Sequence, residues 1–225
     1  MVFVKTGLGS LDALLEEDHV TEIFSRDPYL IGSLCHRTVV ESAPVAVVVV
    51  GERGGLNPYL LLRILRALGR SASVRDLVLV KRAFKAEDVP PTISSLEGDV
   101  VVIDPYHHGK LCGLIAAAVR ERDGKTVLFS PRDRRKACGA YSWHVPSTII
   151  ELRSVPHGFE ALVLKSPRFP EMVVNLPPAL AFEERGLMLW DQTKEKPNKP
   201  PAEAIAEAAR EGRTSPCGYS KSLGI

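Results

Sequence analysis

The sequence has a single glutamine, Gln192, few asparagines, and four scattered cysteines, Cys35, Cys112, Cys138 and Cys217, none of them in a C-x-x-C pair. That spacing fits neither a zinc site nor a disulfide framework, so neither is expected. Long apolar runs are missing: the longest, Ala43 to Val50, is far short of the ~20 residues that cross a bilayer. Met1-Val2-Phe3-Val4-Lys5 does not read as a signal peptide. These absences point to a soluble, cytoplasmic protein with no membrane partner. An excess of either charge is missing too. The chain has 29 Lys+Arg, 27 Asp+Glu and a net charge of +2, so any nucleic-acid surface has to be a local patch. Little amide and 25% charged residues lean toward a thermophilic source.

The 225 residues, 45% of them hydrophobic, are enough for one domain with a full core and a tail. Val20–Phe24 reads as a strand and 31–41 as a helix. Val45–Val50 is a β-branched run suited to a strand buried on both faces. Helices are expected over 58–68, stopped by Gly69, and over 110–121, stopped by Asp123-Gly124. Leu77–Lys81 and Val100–Ile103 read as two more buried strands, and Thr126–Phe129 as the next. This strand–helix alternation predicts an α/β fold with a mostly parallel sheet. After residue 145 the segments 147–152, 161–164 and 172–175, set between Pro/Gly turns, read as antiparallel additions. The domain reading is a core over 1–191, a Lys/Pro-rich linker over 192–201, and a short helix with a polar tail over 202–225.

A glycine-rich phosphate loop is the next thing missing. Thr21-Glu22-Ile23-Phe24 and Cys35-His36 resemble the strand and helix that flank the Walker A loop in the RecA/RadA recombinases. Between them that family has G-x-x-x-x-G-K-[ST], whose amides wrap the phosphates, whose lysine neutralises them and whose hydroxyl holds Mg²⁺. Here the eight places run from Ser25 and Arg26 to Gly32. Ile31 stands at the lysine position and Gly32 at the hydroxyl position, while Pro28 removes an N–H donor. Val100-Val101-Val102-Ile103-Asp104 reads as a Walker B strand, with Asp104 at the sheet's ligand edge. Gly51-Glu52-Arg53-Gly54-Gly55-Leu56-Asn57-Pro58 is similar to the family's D-T-E-G-x-F-x-P. The catalytic glutamate falls on Arg53, which cannot act as a base. A one-residue slip would give Glu52 that role; otherwise the pair are solvated loop charges. His107-His108 reads as a polar turn, and no metal site is expected.

The richest loop is Pro131 to His144. Arg132, Arg134, Arg135 and Lys136 supply cations for phosphates, and Tyr141 and Trp143 supply rings for splayed bases. The alternative is a basic surface loop with both aromatics packed in the core. The family's DNA-contacting loop ends in G-x-x-x-x-H, a spacing that Gly139 and His144 reproduce. The ordered resemblance runs from Thr6 to Trp190, includes Glu183-Glu184-Arg185-Gly186-Leu187, and is greatest to the short archaeal RadA paralogues, the RadB-like proteins. It implies a RecA-like core, a mostly parallel sheet flanked by helices with antiparallel C-terminal strands. It also implies a DNA repair role alongside a catalytic recombinase. The vestigial nucleotide set would be Ser25, Arg26, Ile31, Gly32, Glu52, Arg53 and Asp104. The DNA set would be Arg132, Arg134, Arg135, Lys136, Tyr141, Trp143 and His144. No catalytic residue and no cofactor are expected, and the reading is a non-catalytic paralogue that binds DNA, single-stranded by its aromatics, or a true recombinase. Two alternatives stay open. One is an ATPase in which Lys110 or a neighbouring subunit's Lys165 replaces the lost lysine and Asp104 keeps Mg²⁺ for ATP. The other is a scaffold without DNA binding.

Overall fold

The structure, a computed structural model, describes residues 4–176 apart from Glu17, Arg53, 132–137 and His157. The expected linker over 192–201, the helix and tail over 202–225 and the Glu183–Leu187 match lie outside these residues. Eight strands form one sheet: β1 (Val20–Ser25), β2 (Val45–Val50), β3 (Val78–Ala83), β4 (Val100–Ile103), β5 (Thr126–Ser130), β6 (Thr148–Val155), β7 (Gly158–Lys165) and β8 (Met172–Leu176). Their order is β3-β2-β4-β5-β1-β6-β7-β8. The helices are α1 (Gly9–Leu15), α2 (Pro28–Ser42), α3 (Pro58–Ala67), α4 (Val89–Ser94), α5 (Cys112–Arg120) and α6 (Ala140–His144).

The β-branched run of β2 lies between β3 and β4, where only a strand apolar on both faces is stable. The steps β1→β2 and β2→β3 move toward one edge, and β3→β4 and β4→β5 move back. Right-handed crossovers therefore put α2 and α3 on one face of the sheet and α4 and α5 on the other. On the second face Val48, Val102 and Leu128 pack with Val89, Ile93 and Ile115, each worth about 1.5–3 kcal/mol of burial.

Two buried cations fasten the edge where the parallel strands begin. The Arg122 guanidinium donates to the carbonyls of Ile93 (2.8 Å), Leu96 and Gly98, closing the end of α4. The Lys125 ammonium donates to the carbonyls of Leu15 and Glu16, closing the end of α1. Cations suit helix C-termini because the last carbonyls there lack intrahelical donors. Burial pushes both side chains below their usual basicity, opposed by Asp99 in each case.

Four expectations need correction. The segment read as the first antiparallel strand, β6, is parallel to β1, in register from Thr21↔Thr148 to Ser25↔Leu152; only β7 and β8 run antiparallel. The crossover that sets its direction is α6, a helix too short to leave a period in the sequence. The segment read as buried over 77–81 belongs to the edge strand β3, where Leu79 and Val80 are about half exposed. The stretch from Ser25 to Gly32 is not an open loop, because β1 runs to Ser25 and α2 starts at Pro28. And Cys112 and Cys138 are joined by a disulfide, their Cα atoms 5.8 Å apart, inside the range that a bridge needs.

Candidate functional site

Only Arg26 and Asp27 separate β1 from α2. A helix start offers free N–H groups to a phosphate, so where these donors go decides what the site can hold. Pro28 has none. The amides of Tyr29 and Leu30 donate to Asp27 Oδ1 at 3.0 and 3.2 Å. The Ile31 amide donates to the Asp27 carbonyl at 3.2 Å. The carboxylate of Asp27 therefore occupies the place of an anion, and the first turn has no spare donor. Ser154 Oγ donates to Asp27 Oδ2 at 2.8 Å, and Ser25 Oγ accepts from the Asp27 amide at 3.1 Å and donates to the Leu152 carbonyl at 2.8 Å. Ile31, which the sequence resemblance matched to the family's lysine, is core, and Gly32 lies inside α2. Beside the turn is a cleft of about 310 Å³ lined by Ser25, Arg26, Asp27 and the β6 residues 151–154. Its wall carries the Arg153–Glu151 ion pair (2.6 Å), and with Arg26 and Asp27 the lining holds two guanidiniums and two carboxylates.

Two carbonyls that follow β2 are also held. Arg82 on β3 donates to the carbonyls of Gly51 (2.9 Å) and Gly54 (3.1 Å). Gly51 has φ +95°, and a Cβ there would lie 2.9 Å from His107 Cδ2. Asp104 stands at the carboxyl end of β4, as expected, with φ +53°. Its Oδ2 lies 2.9 Å from His107 Nδ1, and its carbonyl accepts from the His107 amide at 3.0 Å. Glu52 is exposed, while Arg53 lies outside the described residues. No group of three or more His, Cys, Asp or Glu among the described residues is placed to hold a metal ion.

His36 joins α2 to α3. Its Nδ1 lies 2.6 Å from the Gly32 carbonyl, and its Nε2 accepts from the Asn57 amide at 2.6 Å. These partners require a neutral ring protonated at Nδ1. Burial holds the ring below its ordinary basicity, against the contrary effect of the Gly32 carbonyl. The Asn57 side chain then caps α3 through the amides of Tyr59 and Leu60. Asp27-Pro28-Tyr29-Leu30 and Asn57-Pro58-Tyr59-Leu60 are thus one device used twice, an acceptor at the cap and proline at the first helical position.

On the other face of the sheet, α6 carries the expected aromatics. Tyr141 is 55% and Trp143 40% exposed, so both rings reach solvent and neither is core. His144 is exposed as well. Ser142, between the rings, is buried and donates to the Gly139 carbonyl at 2.9 Å. Gly139 has φ +53° and ψ −123°, a region closed to other residues, so the chain turns there because it is glycine. Tyr141 lies over Gly113 of α5. Lys165 Nζ donates to the carbonyls of Trp143 (3.1 Å) and Pro146 (2.6 Å), which engages the lysine proposed to replace the missing phosphate ligand. Lys110 is exposed just before α5. Arg132, Arg134, Arg135 and Lys136 lie outside the described residues. At the base of their segment Ser130 Oγ donates 2.9 Å to Glu22 Oε1, a carboxylate fully buried in β1.

Sequence reasoning did not single out His36, Glu22, Arg82 or the cysteine pair. The one signal available was an acid inside an otherwise apolar strand, at Glu22.

No protein-family model and no curated protein matches the sequence. Among solved structures the chain is similar to the crystal structure of the RadB recombinase, with a TM-score of 0.58 and 17% identity, covering 76% of this chain and 94% of that one. The chain has the RecA-like fold. Its antiparallel C-terminal strands and the helices on both faces belong to that architecture. No helix among the described residues is long and apolar enough to cross a membrane.

Proposed function

We propose that this chain is a non-catalytic recombinase paralogue that binds single-stranded DNA, a catalytic recombinase, or both, in recombination or repair. The observation that carries the DNA reading is α6, whose two aromatic rings stand at the surface within seven residues of Lys136. Rings of this kind stack on any base, and neighbouring cations take the phosphates. The non-catalytic part is supported by the β1–α2 turn, where Asp27 consumes the amides that a nucleotide would need. A protein partner is supported by β3, which among the described residues is an edge strand with Leu79 and Val80 exposed, an arrangement suited to strand addition. The fold shared with the RadB recombinase is the link to recombination.

The test is the quadruple substitution R132A/R134A/R135A/K136A, followed by titration of a labelled single-stranded oligonucleotide at several salt concentrations. Loss of four phosphate contacts lowers the salt slope by about 3 and weakens binding to all sequences alike. An unchanged slope would overturn the assignment. The ATPase alternative keeps one favourable observation, Asp104 at the carboxyl end of β4. A rise in melting temperature with millimolar ATP–Mg²⁺ would favour it.

A further inference from the structure

We infer that the outer face of α5 pairs with the same face of a second copy of this chain, antiparallel across a two-fold axis. The inner side of α5 covers the sheet with Ile115, Ala116, Ala118 and Val119, all buried. Its outer side is apolar as well: Leu114 is 58% exposed and Ala117 is half-buried. Leu114, Ala117 and Glu121 follow one another at spacings of three and four, so they share one line of helix surface. Ahead of that line Leu111 is held at φ +54°, a conformation that residues with a Cβ seldom adopt, yet its side chain stays at the surface. Along one flank the exposed ring of Tyr141 lies over Gly113 and widens the apolar patch. Apolar groups gathered on the side of a helix that faces away from its own core mark an interaction surface.

Charge selects the occupant. Lys110 stands just before α5 and Glu121 just after it; both are exposed, and neither makes an ion pair among the described residues. They are separated by about 16 Å along the helix. In an antiparallel pair each copy's Lys110 meets the second copy's Glu121, so one patch supplies both halves of two ion pairs. A two-fold axis requires this kind of self-complementarity. Parallel pairing sets lysine against lysine and glutamate against glutamate. Arg120 stands two turns on from Gly113, on the flank that Tyr141 covers, and so lies beside the seam. Ala117 at the centre keeps the two helices close. The contact is one helix of nine residues and a neighbouring ring. An area of that size is at the low end of specific interfaces, below about 1,200 Å² in total, and fits a Kd on the order of 10–100 μM.

The test is sedimentation equilibrium of the full chain from about 1 to 200 μM, at low salt. The mean mass rises from that of one chain toward that of two across this range. L114D changes an exposed side chain, so it leaves the melting temperature of the dilute protein unchanged and abolishes the rise. K110E and E121K each set like charges against one another at both ends of the seam, and each weakens association roughly tenfold. The double exchange K110E/E121K restores opposite charges and returns the Kd to its original range. The mass of one chain at every concentration would overturn the pairing, as would a dimer that L114D leaves intact. A double exchange that associates no more tightly than the single variants would overturn the antiparallel arrangement.

Discussion

Replacing Asp27 separates the two things its carboxylate does. In D27A the amides of Tyr29 and Leu30 lose their acceptor and Ser154 loses its partner. The cap is worth about 1 kcal/mol, the hydroxyl bond about 1 kcal/mol, and the charge at the helix start about 0.3–1 kcal/mol. D27A should therefore lose about 2–3 kcal/mol, which for a chain of this size is a fall in Tm of roughly 5–10 °C. D27N keeps an equivalent cap and loses only the charge, about 0.5 kcal/mol. Urea unfolding of the three proteins at neutral pH measures both. Neither variant should gain a thermal shift with ATP–Mg²⁺, since buried Ile31 brings no cation to the turn. Equal stabilities of D27A and D27N would refute the hydrogen-bonded cap. Nucleotide binding gained by D27A would refute the claim that the site lacks more than free amides.

Three further predictions follow from the same structure. Because burial lowers the basicity of His36 below its ordinary value of 6.5, the unfolded chain takes up its proton first. Its contribution to stability is complete above that value and is lost as the pH falls below it; H36L should flatten this acid limb in urea titrations and cost about 1–3 kcal/mol at pH 7.5 by orphaning the Asn57 amide. K125M removes the ammonium that closes α1 through the Leu15 and Glu16 carbonyls, and should cost about 2–4 kcal/mol in denaturant melts; a loss below 0.5 kcal/mol, roughly the size of an ordinary surface change, would contradict the clamp. Reduction of the bridge, whose cysteines are 26 residues apart, should lower unfolding free energy by about 3–4 kcal/mol on chain-entropy grounds, measured by guanidinium melts with and without dithiothreitol.

Much of the sheet was legible because burial on both faces leaves a strong mark. Val45–Val50 and Val100–Ile103 are continuous apolar runs, and each became a central strand. The edge of the sheet was harder, since β3 is apolar like its neighbours, and only Lys81 and Arg82 hinted at an outer position. The direction of β6 depends on whether a crossover precedes it, and five residues of α6 give no helical period. Asp27-Pro28 is a strong helix-start signal, yet the motif comparison set it inside an eight-residue loop and hid it. The Cys112–Cys138 bridge and the His36–Asn57 bond are contacts between distant parts of the chain, which residue spacing does not encode. The exposure of Tyr141 and Trp143 also had to come from the structure, because aromatics in a short segment fit a core or a surface equally well.

The most direct test of a nucleotide-independent DNA-binding paralogue is an anisotropy titration of a labelled single-stranded oligonucleotide with the full chain, with and without ATP–Mg²⁺, at low and moderate salt. The account predicts the same Kd with and without nucleotide, and weaker binding as salt rises. Binding that requires ATP–Mg²⁺ would contradict it.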